Sequence, residues 1–333
     1  MIGGVSFKMT PIHPSVLLRD DLAGREMLFE RPGEIVTVDR LEDVVPALRR
    51  LDGLRRTGKW LAGYLSYEAG FAFEPKLAAV LPGGRRTPLI RIGVFDAPDE
   101  RPAETPRPSN AGLSEPRAAW SFEDYRARFA KLHGRLRKGD AYQGNLTFPV
   151  PARWEGEPRA IFDAMTARQP VRYGALVELG GPVIVSRSPE LFFQVDRGGW
   201  IETHPMKGTI RRGQTPQEDA ELAGFLRNDP KNQAENRMIV DLLRNDISRV
   251  TEVGTLEVPE LFRIESYPTV HQMVSRVRAR LLPGTGLAEI MRALFPCGSV
   301  TGAPKLSAML ILRELEGRAR DAYCGAIGWA APG

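Results

Sequence analysis

The chain has 333 residues, of which 42% are hydrophobic and 26% charged, so it has the composition of a globular protein with a substantial core and not that of a disordered chain. Its net charge of +5 suits an anionic partner, but the arginines are scattered, so an acidic small molecule fits as well as nucleic acid. No segment has the apolar length of a membrane span, and residues 1–30 do not resemble a signal peptide, so we expect a cytoplasmic protein. Cys297 and Cys324 match no metal-ligand spacing and are expected to be buried small residues.

The chain divides by composition into three parts. Residues 34–97 alternate strand-like and helical stretches, with a helix expected over residues 41–54. Between residues 98 and 118 the sequence becomes rich in Pro, Glu, Ser, Ala and Arg and has no apolar periodicity. We therefore predict an N-terminal region (1–97), a Pro-rich linker or disordered loop (98–118) and a second region (119–333).

The second region begins with a helix and a polar turn. Ser121 and Asp124 form a capping box at the start of the helix. Residues 139–147 (GDAYQGNLT) then carry many hydrogen-bonding side chains, Gln143 among them. Because such residues are uncommon in strands, their clustering indicates a polar site, although turn chemistry explains them almost as well.

Glu190 lies between two predicted strands, residues 183–186 and 191–195, at the break Ser188-Pro189-Glu190. Partial burial there would raise the pKa of its carboxyl and let it serve as a general acid. A turn carboxylate in water is the alternative.

The stretch 203–213 reads THPMKGTIRRG. Pro205 is expected to end a strand, because it has no N–H to donate, and Lys207 is expected on a tight loop just before Gly208. Lys207 is one of only three lysines after residue 150. A desolvated ammonium can lose its proton and become a nucleophile or base, which a guanidinium cannot do. A surface turn lysine is the competing interpretation.

A further helix is predicted to start at Asp229-Pro230. At helical spacing, Glu235 shares a stripe with Met238, Leu242 and Asp246, which predicts an inward carboxylate. An inward carboxylate needs a cation as partner, and a metal ion and an arginine fit the spacing equally well.

Residues 269–281 alternate with period two, which places His271 on an inward face and arginines 276, 278 and 280 on a solvent face. A core histidine is the expected role of His271, and a substrate contact is the alternative. Residues 296–305 form a Gly-rich loop before a helix. Its lysine does not follow the second glycine directly, as a nucleotide phosphate loop requires, so we expect a loop that shapes a carboxylate site.

Together these motifs resemble one family, the chorismate-utilising enzymes. The resemblance covers nearly all of residues 119–330, and GYLSYEAG in the N-terminal region resembles the component I proteins of that family. It implies an α+β fold, a four-layer sandwich in which two antiparallel sheets lie face to face, helices lie outside and chorismate binds between the sheets. The motifs, in chain order, are GDAYQGNLT, SRSPELF, HPMKGTIRRG, KNQAENRMIVDLLRND, SYPTVHQMVS, FPCGSVTGAPK and YCGAIG.

The resemblance also implies roles for single residues. Members that make 4-amino-4-deoxychorismate from chorismate and ammonia carry a lysine at the position of Lys207, whereas members that make anthranilate carry an alanine. Lys207 would add to C2 of chorismate while Glu190 protonates the departing C4 hydroxyl, and ammonia would enter at C4 and displace the lysine. Gln143 corresponds to the place where isochorismate and salicylate synthases carry a water-activating lysine. Glu235 would be a ligand of Mg²⁺, and the substrate-binding residues would be Gln143, Gly208, Thr209, His271 and Thr301.

Partners follow from the same resemblance. A glutamine amidotransferase subunit, component II, would supply ammonia, and a lyase would carry the product towards 4-aminobenzoate and folate; neither nucleic acid nor a membrane would take part. The family's domain continues beyond the YCGAIG strand with further substrate and metal residues, so we expect residues 1–333 alone to be inactive. The alternatives are an anthranilate-forming or other chorismate-utilising enzyme and, outside the family, a non-enzymatic module that binds an acidic partner through the arginine row.

Overall fold

The computed structural model describes residues 13–107 and 111–333. In these ranges the helix predicted from residue 41 and the helices capped by Ser121 and Asp229 are all present. No helix in the described part is both long enough and apolar enough to span a bilayer. The α-helices in these ranges are α1 (Leu41–Arg56), α2 (Pro75–Ala78), α3 (Phe122–Arg137), α4 (Pro158–Arg168), α5 (Pro216–Asn228), α6 (Pro230–Ser248), α7 (Leu287–Leu294) and α8 (Lys305–Glu316).

The strands form three main sheets, and every pairing in them is antiparallel. In the described part they are β1 (Ser15–Asp20), β2 (Arg25–Glu30), β3 (Glu34–Val38), β4 (Trp60–Leu65), β5 (Ile90–Phe95), β6 (Asp99–Pro102), β7 (Gly112–Leu113), β8 (Gln143–Gly144), β9 (Trp154–Glu155), β10 (Tyr173–Glu178), β11 (Ile184–Ser188), β12 (Gln194–Val195), β13 (Trp200–Thr203), β14 (Met206–Arg211), β15 (Glu257–Ser266), β16 (Val270–Arg280), β17 (Gly302–Ala303) and β18 (Ala326–Ala330).

Sheet A has the strand order β11-β10-β1-β2-β6, and sheet B has the order β18-β4-β5-β3. Sheet C has the order β12-β13-β16-β14, with β15 paired to β16 as well. Two short pairs, β8 with β17 and β7 with β9, lie outside these sheets.

Four layers stack in the order α4, sheet A, sheet B, and then α1 with α7, which confirms the α+β sandwich. Alternation along the strands sends one set of apolar residues into each interface. Sheets A and B meet through Val16, Phe29, Tyr64 and Phe95, each at most 1% exposed. Leu48 and its neighbours on α1 cover the other face of sheet B. Apolar side chains fill the A–B interface, and the expectation that chorismate lies between two sheets stays a prediction.

The predicted N-terminal and second regions share sheets in the fold. Strands β10 and β11 join sheet A, and β18 joins sheet B beside β4. The Pro-rich segment 98–118 supplies β6 and β7, while its residues 108–110 lie outside the described part. The division at residues 97 and 119 therefore stays a prediction from composition.

Sheet C carries the candidate site. Helix α6 packs on one face of its central strand β16, and α7 packs beside α6. Core residues there include Ile201, Val240 and Val277. The helix and the strand are both buried along this contact, so they give the polar groups at their ends a rigid support.

Candidate active site

Lys207 lies on strand β14, in a β-bulge and not on a loop as the sequence suggested. Strands β13 and β14 pair with successive parts of β16, so Pro205 interrupts one long strand instead of starting a turn. The Pro205 carbonyl still accepts a bond from the N–H of Ser275 at 3.0 Å. The register then shifts between Met206 and Thr209. A bulge of this kind redirects a side chain, here that of Lys207.

Gly208 allows helix α6 to approach the bulge closely. Its φ of 97° is a conformation that residues with a side chain rarely adopt. A Cβ at this position would also lie 3.1 Å from Oδ1 of Asn232 on α6. Both observations explain why a glycine follows the lysine.

Asn236 ties the bulge to helix α6. Its Nδ2 donates to the carbonyls of Lys207 and Met273 at 3.4 and 3.3 Å, and its Oδ1 accepts from Ser275 Oγ at 2.6 Å. Asn236 is fully buried, and our sequence analysis missed it. The available signal was an asparagine one position after Glu235 on the apolar side of the helix.

Glu190 lies two residues beyond β11, deep in the protein but still partly accessible to solvent. Burial raises the pKa of its carboxyl, while a hydrogen bond from Ser299 and the ammonium charge of Lys207 act in the opposite direction. A raised pKa is what a general acid needs near neutral pH.

Lys207 is close enough to Glu190 for its charge to influence that carboxyl. Among the described residues no hydrogen bond or ion pair engages the Lys207 ammonium. Lys207 is only partly exposed, so the alternative of a surface turn lysine does not describe it. The catalytic roles of Lys207 and Glu190 stay a prediction, with which this proximity is consistent.

The Gly-rich loop supplies the partner of Glu190. Ser299 donates from its hydroxyl to Glu190 Oε1, and its oxygen lies 3.1 Å from the sulfur of Cys297. Cys297 is buried, as predicted, and burial raises the pKa of its thiol to about 11. The sequence analysis did not identify Ser299, which is 109 positions from Glu190.

Thr301 is fully buried, and its hydroxyl donates to the carbonyls of Cys297 and Gly298 at 3.0 and 3.3 Å. These bonds hold the loop in shape but leave the Thr301 side chain no surface for a substrate. The hydroxyl of Thr301 is thus used by the loop, and its role as a substrate-binding residue stays a prediction.

His271 is a satisfied core histidine. Its Nε2 lies 2.9 Å from Asp219 Oδ1 and its Nδ1 lies 2.8 Å from Ser266 Oγ, and the residue is buried. A hydrogen bond from the Arg212 side chain and a weaker contribution from the Gly213 N–H hold the pKa of Asp219 far below its usual range. Both ring nitrogens are thus engaged within the protein, as expected of a core histidine, and the substrate contact implied by the resemblance stays a prediction.

Glu235 is not buried with the apolar residues of α6. Its side chain is 43% exposed, and the nearest cation, Lys231 Nζ, is 4.0 Å away. The buried stripe runs one position further on, through Asn236, Ile239 and Leu243. The prediction of an inward carboxylate is therefore wrong, although Glu235 remains at the edge of the helix with accessible oxygens.

Mg²⁺ usually binds one or two protein carboxylates and completes its shell with substrate oxygens and water. Among the described residues, no group of three or more His, Cys, Asp or Glu side chains is placed to hold a metal ion. Glu235 makes only a 4.0 Å ion pair, so its carboxylate suits one position of such an open shell.

Gln143 and Thr209 complete the set of predicted substrate residues. Gln143 lies on β8, which pairs with β17 of the Gly-rich loop, and its amide oxygen is enclosed without a hydrogen-bond partner in the described part. Thr209 closes the bulge and is exposed. Both positions are compatible with a polar ligand.

The arginine row of β16 is largely neutralised. Arg276 is bound by Glu202, Arg278 by Glu257, and Arg280 lies 4.0 Å from Glu252. Arginines already paired with carboxylates offer little charge to an acidic partner. This arrangement disfavours the non-enzymatic binding module.

An ion pair connects the end of the Gly-rich loop to helix α6. Nζ of Lys305, at the start of α8, lies 2.6 Å from Asp246 Oδ2 and donates to the carbonyl of Leu294 at 2.9 Å. Asp246 is on α6, so this pair joins the helix of the bulge to the end of the Gly-rich loop.

Comparison with known proteins identifies a family for the chain as a whole. A family model described as chorismate binding enzyme matches residues 23–333. Aminodeoxychorismate synthase component 1 of Klebsiella aerogenes is 45% identical over 213 residues, which cover 64% of this chain and 47% of that protein. Anthranilate synthase component 1 of Aeropyrum pernix is 39% identical over 281 residues, which cover 80% of this chain and 64% of that protein.

Among solved structures, anthranilate synthase component I from Streptococcus pneumoniae superposes with a TM-score of 0.75 and covers 99% of this chain and 84% of that one. At 22% identity this likeness shows the fold. The chain spans about half the length of the aminodeoxychorismate synthase relatives that it matches, between 45% and 47%.

Proposed function

This chain belongs to the chorismate binding enzyme family, and on that premise we propose that it acts as an aminodeoxychorismate synthase component 1, which makes 4-amino-4-deoxychorismate from chorismate and ammonia. The observation that supports the proposal is that Lys207, in the bulge of sheet C, lies close enough to the buried Glu190 for its charge to influence that carboxyl. An amine nucleophile and a carboxylic acid are the two groups that this replacement of a hydroxyl by an amine needs.

In the first step, Nζ of Lys207 attacks C2 of chorismate as a free amine. Both ring double bonds shift, from C1–C2 to C1–C6 and from C5–C6 to C4–C5, the C4–O bond breaks, and Glu190 gives its proton to the departing hydroxyl, which leaves as water. Lys207 is then bound to C2 as a secondary ammonium, and Glu190 is a carboxylate. Burial favours the protonated form of Glu190 beforehand and so prepares it for this step.

In the second step, ammonia attacks C4, both ring double bonds shift back, and the C2–N bond to Lys207 breaks. The new C4 ammonium gives one proton to Glu190, which restores the acid, and Lys207 leaves as an amine. Chorismate and ammonia thus become 4-amino-4-deoxychorismate and water. Gly208 lets helix α6 support the backbone beside Lys207, and we propose that Gly208 and Thr209 border the reacting carbons and that Gln143 contacts the substrate.

We further propose that Glu235 is one ligand of Mg²⁺. The ion would orient a substrate carboxylate and offset its charge. Glu235 suits this role because its carboxylate is half exposed and weakly paired. The name component 1 in the relatives also supports a partner subunit, and we propose a glutamine amidotransferase that delivers the ammonia.

The test is a product assay on the complete polypeptide that carries this sequence, supplied with chorismate, ammonium and Mg²⁺. Mass spectrometry should detect 4-amino-4-deoxychorismate with the native protein and with Lys59→Ala, whose lysine forms an exposed pair with Asp96. Lys207→Ala should lose the product, and so should Lys207→Arg, because a guanidinium keeps the charge but does not act as a nucleophile.

The same assay separates the alternative within the family. Anthranilate, seen by its fluorescence without any added lyase, would identify direct pyruvate elimination and overturn the proposal. Full turnover by Lys207→Ala would rule out covalent catalysis by Lys207.

A further inference from the structure

We propose that Ser299 is a positioning residue that holds the Glu190 carboxyl in one place in both of its protonation states, with Cys297 as the second member of the chain. The inference rests on the proposed function, in which Glu190 gives up a proton in one step and takes one back in the next. A group with two such tasks must keep its position while its charge changes.

The geometry fixes the direction of the hydrogen bonds when Glu190 is ionised. A carboxylate only accepts hydrogen bonds, so the single hydrogen of the Ser299 hydroxyl points at Glu190. The Ser299 oxygen then has lone pairs free for the thiol hydrogen of Cys297, whose sulfur is 3.1 Å away. Burial raises the pKa of the thiol to about 11, so Cys297 keeps that hydrogen at neutral pH.

The same atoms serve the protonated carboxyl with the directions reversed. The carboxylic O–H of Glu190 can donate to the Ser299 oxygen, and the Ser299 hydrogen then turns to the sulfur of Cys297, a weak acceptor. No heavy atom has to move. A backbone N–H or a lysine in place of Ser299 only donates, so it would bind the carboxylate but could not accept the O–H of the acid.

The surroundings leave this task to Ser299. Lys207 faces Glu190 from β14, and Cys297 and Ser299 face it from the loop. Lys305 lies behind Cys297, but it is already paired with Asp246 at 2.6 Å. Ser299 is 4% exposed, so water does not replace its hydroxyl easily once it is removed.

Ser299→Ala should therefore raise the pKa of Glu190, since it removes a donor that favours the charged form. A carboxylate that accepts two or three hydrogen bonds can have a pKa roughly two units below normal, so the loss of one bond should raise the pKa by about one unit. We expect kcat to fall about tenfold, at the low end of the effect of general acid catalysis, with KM changed less than twofold.

The variant series separates the effect of the hydroxyl group from the effect of side-chain size. Ser299→Thr keeps the hydroxyl and should restore most of kcat and the native pKa of Glu190. Cys297→Ser keeps a donor to Ser299 and should act like the native protein, whereas Cys297→Ala should show a smaller form of the Ser299→Ala effect. Ser66→Ala, which removes another fully buried serine hydroxyl far along the chain, is the matched control.

The experiment measures the pKa of Glu190 directly, by ¹³C NMR of the complete polypeptide with labelled glutamate carboxyls and with Glu190→Gln to identify the signal. The pH profile of kcat is measured in parallel. The proposal predicts that Ser299→Ala moves both the NMR titration and the Glu190 limb of the profile to higher pH, and that Ser299→Thr moves them back.

An unchanged pKa in Ser299→Ala would overturn the proposal, even if kcat fell, because the loss would then be uniform across pH and merely structural. The NMR titration does not need turnover. If the native protein made no 4-amino-4-deoxychorismate, the proposed function would fail, while the titration would still decide whether Ser299 controls Glu190.

Discussion

Replacing Lys305 by methionine should destabilise the protein strongly, because the change leaves the carboxylate of Asp246 buried without its cation. Asp246 is 4% exposed, and Lys305 Nζ lies 2.6 Å from its Oδ2. Removing one partner of a buried pair typically costs about 3–5 kcal/mol. The Leu294 carbonyl also loses its donor. We expect a loss of about 3 kcal/mol in the free energy of unfolding, at the lower end because the Lys305 side chain is 18% exposed.

The loss should depend on pH with a definite sign. Burial already raises the pKa of Asp246, and Lys305 opposes that shift. Without Lys305 the folded pKa rises further above the unfolded value, so folded Asp246 takes up a proton more readily than unfolded Asp246. The destabilisation of Lys305→Met is therefore full above the raised pKa and shrinks as the pH falls through it.

Urea unfolding at neutral pH and at about pH 5 measures both effects, with Lys59→Met as the control. Lys59 forms an equally short pair with Asp96, 2.7 Å apart, but at the surface, so its loss should leave the urea midpoint nearly unchanged. The double change Lys305→Met with Asp246→Leu should recover more than half of the loss. If Lys305→Met cost no more than Lys59→Met, or if its cost grew on acidification, the reasoning would be refuted.

Three further outcomes are expected. Gly208→Ala should lower the free energy of unfolding by about 1–3 kcal/mol, because φ is 97° at this position, and should reduce kcat because it displaces Lys207. Urea midpoints and turnover measurements check both effects, and a native-like kcat would contradict the second. His271→Phe should lower the free energy of unfolding by about 2 kcal/mol, because two hydrogen bonds are lost, and should leave KM for chorismate unchanged. A large rise in KM would instead identify His271 as a substrate contact. Glu235→Gln should weaken Mg²⁺ binding at least tenfold in calorimetric titrations with chorismate present, at an unchanged urea midpoint; equal affinity would exclude Glu235 as a ligand.

Local features of the fold were predictable from the sequence. Three of them depend on residues a few positions apart, and each occurs where it was expected: the capping box of Ser121, the cap at Asp229 and the interruption between strands near Glu190. The Gly-rich loop likewise leads into α8, which ends just before Gly317. Such signals are complete within one turn of the chain, so no distant partner can change them.

Features that depend on distant partners were not predictable. The bulge at Lys207 exists because β14 changes its register against β16. Glu235 is not part of the buried stripe of α6, because Asn236 and not Glu235 faces sheet C. The contact between Ser299 and Glu190 joins two loops from different parts of the chain. Spacing along one helix or strand fixes which residues share a face but not which face is covered.

The central claim is that Lys207 becomes covalently attached to the substrate, and mass spectrometry of the complete polypeptide with chorismate and Mg²⁺ but without ammonia tests it most directly. Ammonia is what releases the lysine, so its omission should let the adduct accumulate. The account predicts a gain equal to the mass of chorismate less one water, located on Lys207 after proteolysis, lost on adding ammonium and absent from Lys207→Arg. An adduct on another residue, or rapid formation of 4-amino-4-deoxychorismate by Lys207→Arg, would contradict it.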